Sequence, residues 1–183
     1  MLSQFSREGD KQTLADLSYP FEKDVYPVGR LDYNSEGLLL LSNDKRLNQQ
    51  ILLPGAKIQK TYWVQVEGLP SNEQIKQLQQ GVQINIKGKK HQTSPATVHL
   101  IAQPKVPERH PPIRFRANIP TQWLSISITE GKNRQIRRMT AAVGLPTLRL
   151  IRFSIGKLNI SQLAPGDVQA IHVKELKNQL FHF

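Results

Sequence analysis

The clearest alternation of apolar and polar positions lies in two stretches, 60–67 (KTYWVQVE) and 123–129 (WLSISIT). Both are rich in β-branched and aromatic residues, and each predicts a half-buried strand. Residues 82–102 also alternate, with Val82, Ile84, Ile86, Val98 and Leu100 separated by Gly and Lys turns, which predicts antiparallel strands. The run Leu38-Leu39-Leu40-Leu41 is continuously apolar and short, as in a buried strand, and 148–155 predicts another.

Helical signals fall between these strands. A short helix is expected over 11–17. Ser42-Asn43-Asp44 supplies cap residues for a helix through Leu53, stopped by Pro54-Gly55. Ser71-Asn72-Glu73 opens a helix that runs to Gly81, and Asn133 caps one through Val143, which Gly144 and Pro146 end. The tail 174–183 predicts a peripheral helix or a frayed end. Five prolines between Pro104 and Pro120 mark a long loop within the domain. Strands and helices are interspersed without a regular βαβ rhythm, so the expected class is α+β with a mixed, mainly antiparallel central sheet and flanking helices.

Composition narrows the function. The 183 residues are 38% hydrophobic and 21% charged, an ordinary globular balance. The absence of cysteine excludes a disulfide scaffold, thiol catalysis, an iron–sulfur cluster and Cys-ligated zinc. No run approaches the roughly eighteen apolar residues of a membrane span, and the opening MLSQFSREGD lacks a signal-peptide core. A soluble, cytoplasmic protein is expected.

The net charge is +11, and it is unevenly spread. Residues 1–44 hold four bases against eight acids, so the other 139 residues carry +15. Residues 131–166 contain seven bases and no acid, and 87–116 seven bases against Glu108 alone. Either block alone fits a solvated face; two in one small protein point to a polyanion groove.

Two constellations carry candidate chemistry. In Gly29-Arg30-Leu31-Asp32 a carboxylate follows a predicted strand directly and precedes a polar turn. By spacing alone Asp32 fits a turn-capping role first and a catalytic carboxylate on a rigid mount second. A nearby cation would keep it ionised. In Gly131-Lys132-Asn133-Arg134-Gln135-Ile136-Arg137-Arg138-Met139, helical spacing puts Arg134, Arg137 and Arg138 on one face and Ile136, Met139 and Val143 on the other. Guanidiniums so placed suit bidentate phosphate contact, and one could turn inward to pair with Asp32.

These motifs resemble the small-subunit-type branch of the ribosomal RNA pseudouridine synthases. Residues 29–44 (GRLDYNSEGLLLLSND) resemble its GRLD-x-x-SEGLLLLTND signature, Lys60-Thr61-Tyr62 its K-x-Y motif, and residues 131–139 its G-x-N-R-Q-I-R-R-M motif. Pro111-Pro112-Ile113-Arg114 and residues 146–152 (PTLRLIR) are most similar to members that act on large-subunit (23S) RNA and lack an N-terminal S4 domain.

The resemblance implies the pseudouridine synthase fold as one catalytic domain over 1–183, in one or two lobes, and isomerisation of a uridine without cofactor or metal. It implies Asp32 as the catalytic carboxylate and Tyr62 against the target base; Arg137, with Arg134 second, is expected as the salt-bridge partner of Asp32. Arg30 resembles the arginine that fills the space left by the flipped base. Arg30, Lys60, Lys132, Arg134, Arg138, Arg149 and Arg152 are expected against RNA. The implied partner is 23S ribosomal RNA, free or partly assembled, and the implied state a monomer. Family members begin with an N-K-P-x-x-x-L strand, and Met1-Leu2-Ser3-Gln4-Phe5 resembles only its end, so that strand is expected to be incomplete.

Two other readings use the same residues. One is a noncatalytic RNA-binding or ribosome-assembly protein that keeps the basic groove. The other is a nucleoside hydrolase, for which Glu36 is the acid nearest Asp32 in sequence.

Overall fold

The computed structural model describes residues 1–114, 116 and 118–181. In chain order the elements are β1 (Tyr26–Val28), β2 (Glu36–Gly37), β3 (Leu40–Ser42), α1 (Lys45–Leu52), β4 (Lys60–Glu67), α2 (Asn72–Gln80), β5 (Gln83–Ile86), β6 (Lys89–Gln92), β7 (Thr97–Ile101), β8 (Thr121–Ile128), α3 (Gln135–Ala142), β9 (Thr147–Ile155), β10 (Leu158–Asn159) and α4 (Val173–Leu180). The expected α+β class holds. The chain forms two compact units, residues 1–58 with 153–183, and residues 59–152.

The first unit is built on short elements. β1 pairs antiparallel with β3, Val28 opposite Leu40, and β10 pairs antiparallel with the end of β9. Val28, Leu40, Leu47, Ile51, Ile58, Ile155, Leu176 and Leu180 form its core. Asp44 caps α1, its carboxylate accepting from the Arg46 and Leu47 amides. The helix expected over 11–17 is a single 3-10 turn, Leu14–Asp16, which the reciprocal Thr13/Asp16 capping box closes. The leucine run 38–41 is strand only from Leu40, and only Leu40 is fully buried: with β1 as a three-residue partner, the ladder is too short to enclose four successive leucines. The tail helix spans Val173–Leu180; His182 and Phe183, included in the expected element, lie outside the described residues.

The second unit is a sheet in the order β9-β4-β8-β7. β8 pairs antiparallel along the whole of β4, from Lys60↔Ile128 to Glu67↔Thr121, and with β7 on its other side. Inward Val64, Val66, Val98, Leu124 and Ile126 join Leu78 of α2 and Ile136 and Met139 of α3 in one core. Each of these side chains, fully buried, contributes about 1.5–3 kcal/mol relative to exposure. α2 opens on a Ser71/Gln74 capping box and ends at Gly81. Gly81 has φ +90°, and a Cβ there would stand 2.3 Å from the Thr93 carbonyl oxygen, so only glycine fits.

Candidate active site

Asp32 leaves β1 through Gly29, whose φ of +74° turns the chain in a way that L side chains rarely adopt. Leu31 is then held by a single side chain: the Ser3 hydroxyl accepts from the Leu31 amide at 3.0 Å and donates to the Leu31 carbonyl at 3.2 Å. Ser3 is only 6% exposed, so these bonds compete little with water. Immediately after, the Asp32 carbonyl accepts from the Ser35 amide at 2.8 Å and closes the turn. The half-buried Asp32 side chain therefore sits on backbone pinned on both sides. Arg30 is exposed. Next to this turn Lys11 lies over the Tyr33 ring, 5.8 Å from its centroid, and pairs with Glu8 at 2.5 Å.

Ser3 went unnoticed at the level of sequence. A lone serine near a chain start carries no periodic or motif signal; its role follows from the bridge between Leu2 and Thr13 that lays residues 1–4 in place.

In the second unit Lys60, Tyr62 and Arg152 come together. Lys60 and Tyr62 lie two apart on β4, and Arg152 is on the neighbouring β9. Arg152 hydrogen-bonds the Tyr62 phenol, and its 5% exposure pulls its pKa below the usual guanidinium range. Burial, and secondarily the Arg152 charge, lowers the Lys60 pKa. The group presents a tyrosine ring whose hydroxyl is fixed by a buried cation.

Arg149 and Arg152, expected against RNA, are buried at 9% and 5% exposure. Arg149 donates to the Pro107 carbonyl at 2.9 Å and anchors the proline-rich loop. Residues 149–152 of β9 are all buried.

The basic helix also differs from expectation. Asn133 is not its cap. Arg134 occupies that position with φ +49° and makes no side-chain cap, while Gln135, 4% exposed, performs the fastening. Its side chain accepts from the Lys132 amide at 2.9 Å and donates to Glu130 at 2.6 Å. The single arginine face is split as well. Arg137 donates to the Thr147 carbonyl at 3.3 Å, whereas Arg138 donates to Asn133 and to the Asn85 carbonyl of β5. Lys132 and Arg134 remain exposed, and Ile136, Met139 and Val143 are buried as expected.

The turn carboxylate on its fixed mount belongs to the first unit, and the strand tyrosine and the basic helix to the second; comparison with known proteins gives the class, an isomerase acting on RNA. Residues 4–142 match the profile of the family described as RNA pseudouridylate synthase, and the chain belongs to that family. It is 49% identical to "Ribosomal large subunit pseudouridine synthase E" of Vibrio parahaemolyticus serotype O3:K6 (strain RIMD 2210633), over 94% of this chain and 70% of that one. A protein of the same name from Xanthomonas axonopodis pv. citri (strain 306) is also 49% identical, over 93% of this chain and 88% of the relative. A solved structure titled "Crystal structure of pseudouridylate synthase" shares the fold, with TM-score 0.74 over 94% of this chain and 67% of that chain at 24% identity. Among the described residues no helix is long and apolar enough to cross a membrane.

Proposed function

We propose that this chain converts one uridine of large-subunit (23S) ribosomal RNA to pseudouridine, with Asp32 as the catalytic carboxylate. The observation that carries the reading is the near-50% identity, over more than nine-tenths of the chain, to relatives named for that activity on the large ribosomal subunit. In the reaction the bond from uracil N1 to ribose C1′ breaks and a bond from C5 to C1′ forms. C5 gives up its proton and N1 gains one, so the mass is unchanged.

A negative charge beside C1′ or uracil C6 serves as nucleophile or base. Arg137 pairs with Asp32 in this reading and keeps it ionised. Tyr62 packs on the target base, its phenol oriented by Arg152. A stacked uridine cannot be reached in place, so the base is flipped at a cost of a few kcal/mol, with Arg30 entering the vacated space. Lys132 and Arg134, both exposed, contact the RNA backbone. The chain works in the cytoplasm as a monomer, on ribosomal RNA that is free or partly assembled, where such a uridine is accessible.

Mapping pseudouridines in 23S RNA from cells with and without this gene tests the reading. One site is expected to disappear and to return when the chain is supplied; an unchanged map would contradict the substrate assignment.

A further inference from the structure

The β5–β6 hairpin is a basic element that the catalytic reading leaves without a role. Residues 83–92 (QINIKGKKHQ) contain three lysines and no acid. Ile84 is buried in the core of the second unit and Ile86 packs against it, which fixes the base of the hairpin. Lys87, Lys89 and Lys90 are exposed beyond that anchor. In the ladder Lys90 stands opposite Asn85 on the outward face and Lys89 opposite Ile86 on the other, with Lys87 at the turn, so the tip is positive on both faces. Asn85 shapes the turn by accepting from the Gly88 amide at 2.8 Å.

This tip is not a loose polybasic loop. Arg138 of α3 reaches the Asn85 carbonyl and Asn133, tying the hairpin to the segment that carries Lys132 and Arg134. Glu130 completes the tie from the other strand: it accepts from the Ser94 amide at 2.7 Å and from Gln135 at 2.6 Å, and meets the His91 ring at 3.3 Å. Glu130 is thus occupied in fixing this surface and is largely buried. Arg138 thus ties the hairpin that carries the exposed Lys87, Lys89 and Lys90 to the segment that carries the exposed Lys132 and Arg134. Ordered cations on a fixed mount gain more from a polyanion than flexible ones, because less side-chain and loop freedom is lost on binding.

We propose, resting on the RNA reading above, that the β5–β6 hairpin is a docking surface for the RNA sugar-phosphate backbone, gripping RNA beside the target nucleotide through Lys87, Lys89 and Lys90. The contact is to phosphate and carries no base preference.

The test is the salt dependence of binding between the full chain and a fluorescein-labelled single-stranded RNA. Replacing Lys87, Lys89 and Lys90 together by Gln lowers the slope of log affinity against log salt by about 0.7 per lysine, about 2 in all. Arg at the same three positions restores the slope. A matched variant with Lys23, Lys76 and Lys174→Gln, all exposed and off the hairpin, shows wild-type affinity. If the hairpin variant binds like this matched variant, the proposal is overturned. An unchanged pseudouridine map on gene deletion, with the slope change intact, would overturn the substrate reading and leave the hairpin as an RNA surface.

Discussion

One hydroxyl of Ser3 satisfies both main-chain polar groups of Leu31, the residue before Asp32. Ser3→Ala leaves a part-buried amide and carbonyl without this partner, at an expected cost of about 1 kcal/mol in unfolding free energy. Because the clamp sets the path of the backbone into Asp32, kcat is expected to fall more than KM rises. Chemical denaturation and steady-state kinetics on RNA check the two effects; an unchanged kcat would show that the turn holds Asp32 without Ser3.

Tyr62 and Arg152 form the second pair on which the account depends. Tyr62→Phe keeps the ring for stacking but removes an acceptor from a buried guanidinium, and should destabilise the protein by about 1.5–3 kcal/mol. Arg152→Met in the Tyr62→Phe background should recover part of that loss, because it removes the buried charge as well. A double-mutant cycle in thermal unfolding measures the coupling, and strict additivity would contradict the bond.

Lys60 gives a pH dependence with a definite sign. Its pKa in the folded protein lies below the unfolded value because burial, then Arg152, disfavours the charged form. The unfolded chain therefore binds that proton more tightly, so stability rises with pH between the lowered pKa and the ordinary lysine value of about 10.4. Relative to Lys60→Gln, the wild type should gain stability as pH climbs through this window. A flat difference would mean that Lys60 is not desolvated.

Gly81→Ala is expected to destabilise by about 1–3 kcal/mol from backbone strain alone. Its Cβ would also collide with the Thr93 carbonyl, and Thr93 bonds Val82 at the start of the hairpin. The melting temperature and the salt slope for RNA should both fall. A variant as stable as the wild type would show that the hairpin shifts freely.

Much of the architecture was legible because it rests on local signals. The alternation of 60–67 and 123–129 predicts the strands that pair as β4 and β8, and Asp44 and Ser71 cap the helices they precede. Three features were not legible. The split of Arg137 from Arg138 depends on which acceptors the carbonyls of Thr147 and Asn85 offer, and those lie 10 and 53 residues away in sequence. The helix start at Gln135 is set by a buried side-chain amide satisfying a loop, where a polar Asn two positions earlier carries the stronger local cap signal. The burial of Arg149 and Arg152 follows from strand order, which the charge pattern does not contain. Motif similarity singled out Asp32, Tyr62 and Arg137, whereas the contacts around them, Ser3 to Leu31, Arg152 to the Tyr62 phenol and Arg137 to the Thr147 carbonyl, emerge only in three dimensions.

The most direct test of the central claim is uridine isomerisation by Asp32→Asn on 23S transcript, measured alongside RNA affinity. Asparagine keeps the size and the turn-forming capacity of the side chain but removes its negative charge. The account predicts RNA binding close to that of the wild type and no pseudouridine formed. Pseudouridine formation by Asp32→Asn at a rate comparable to the wild type would contradict it.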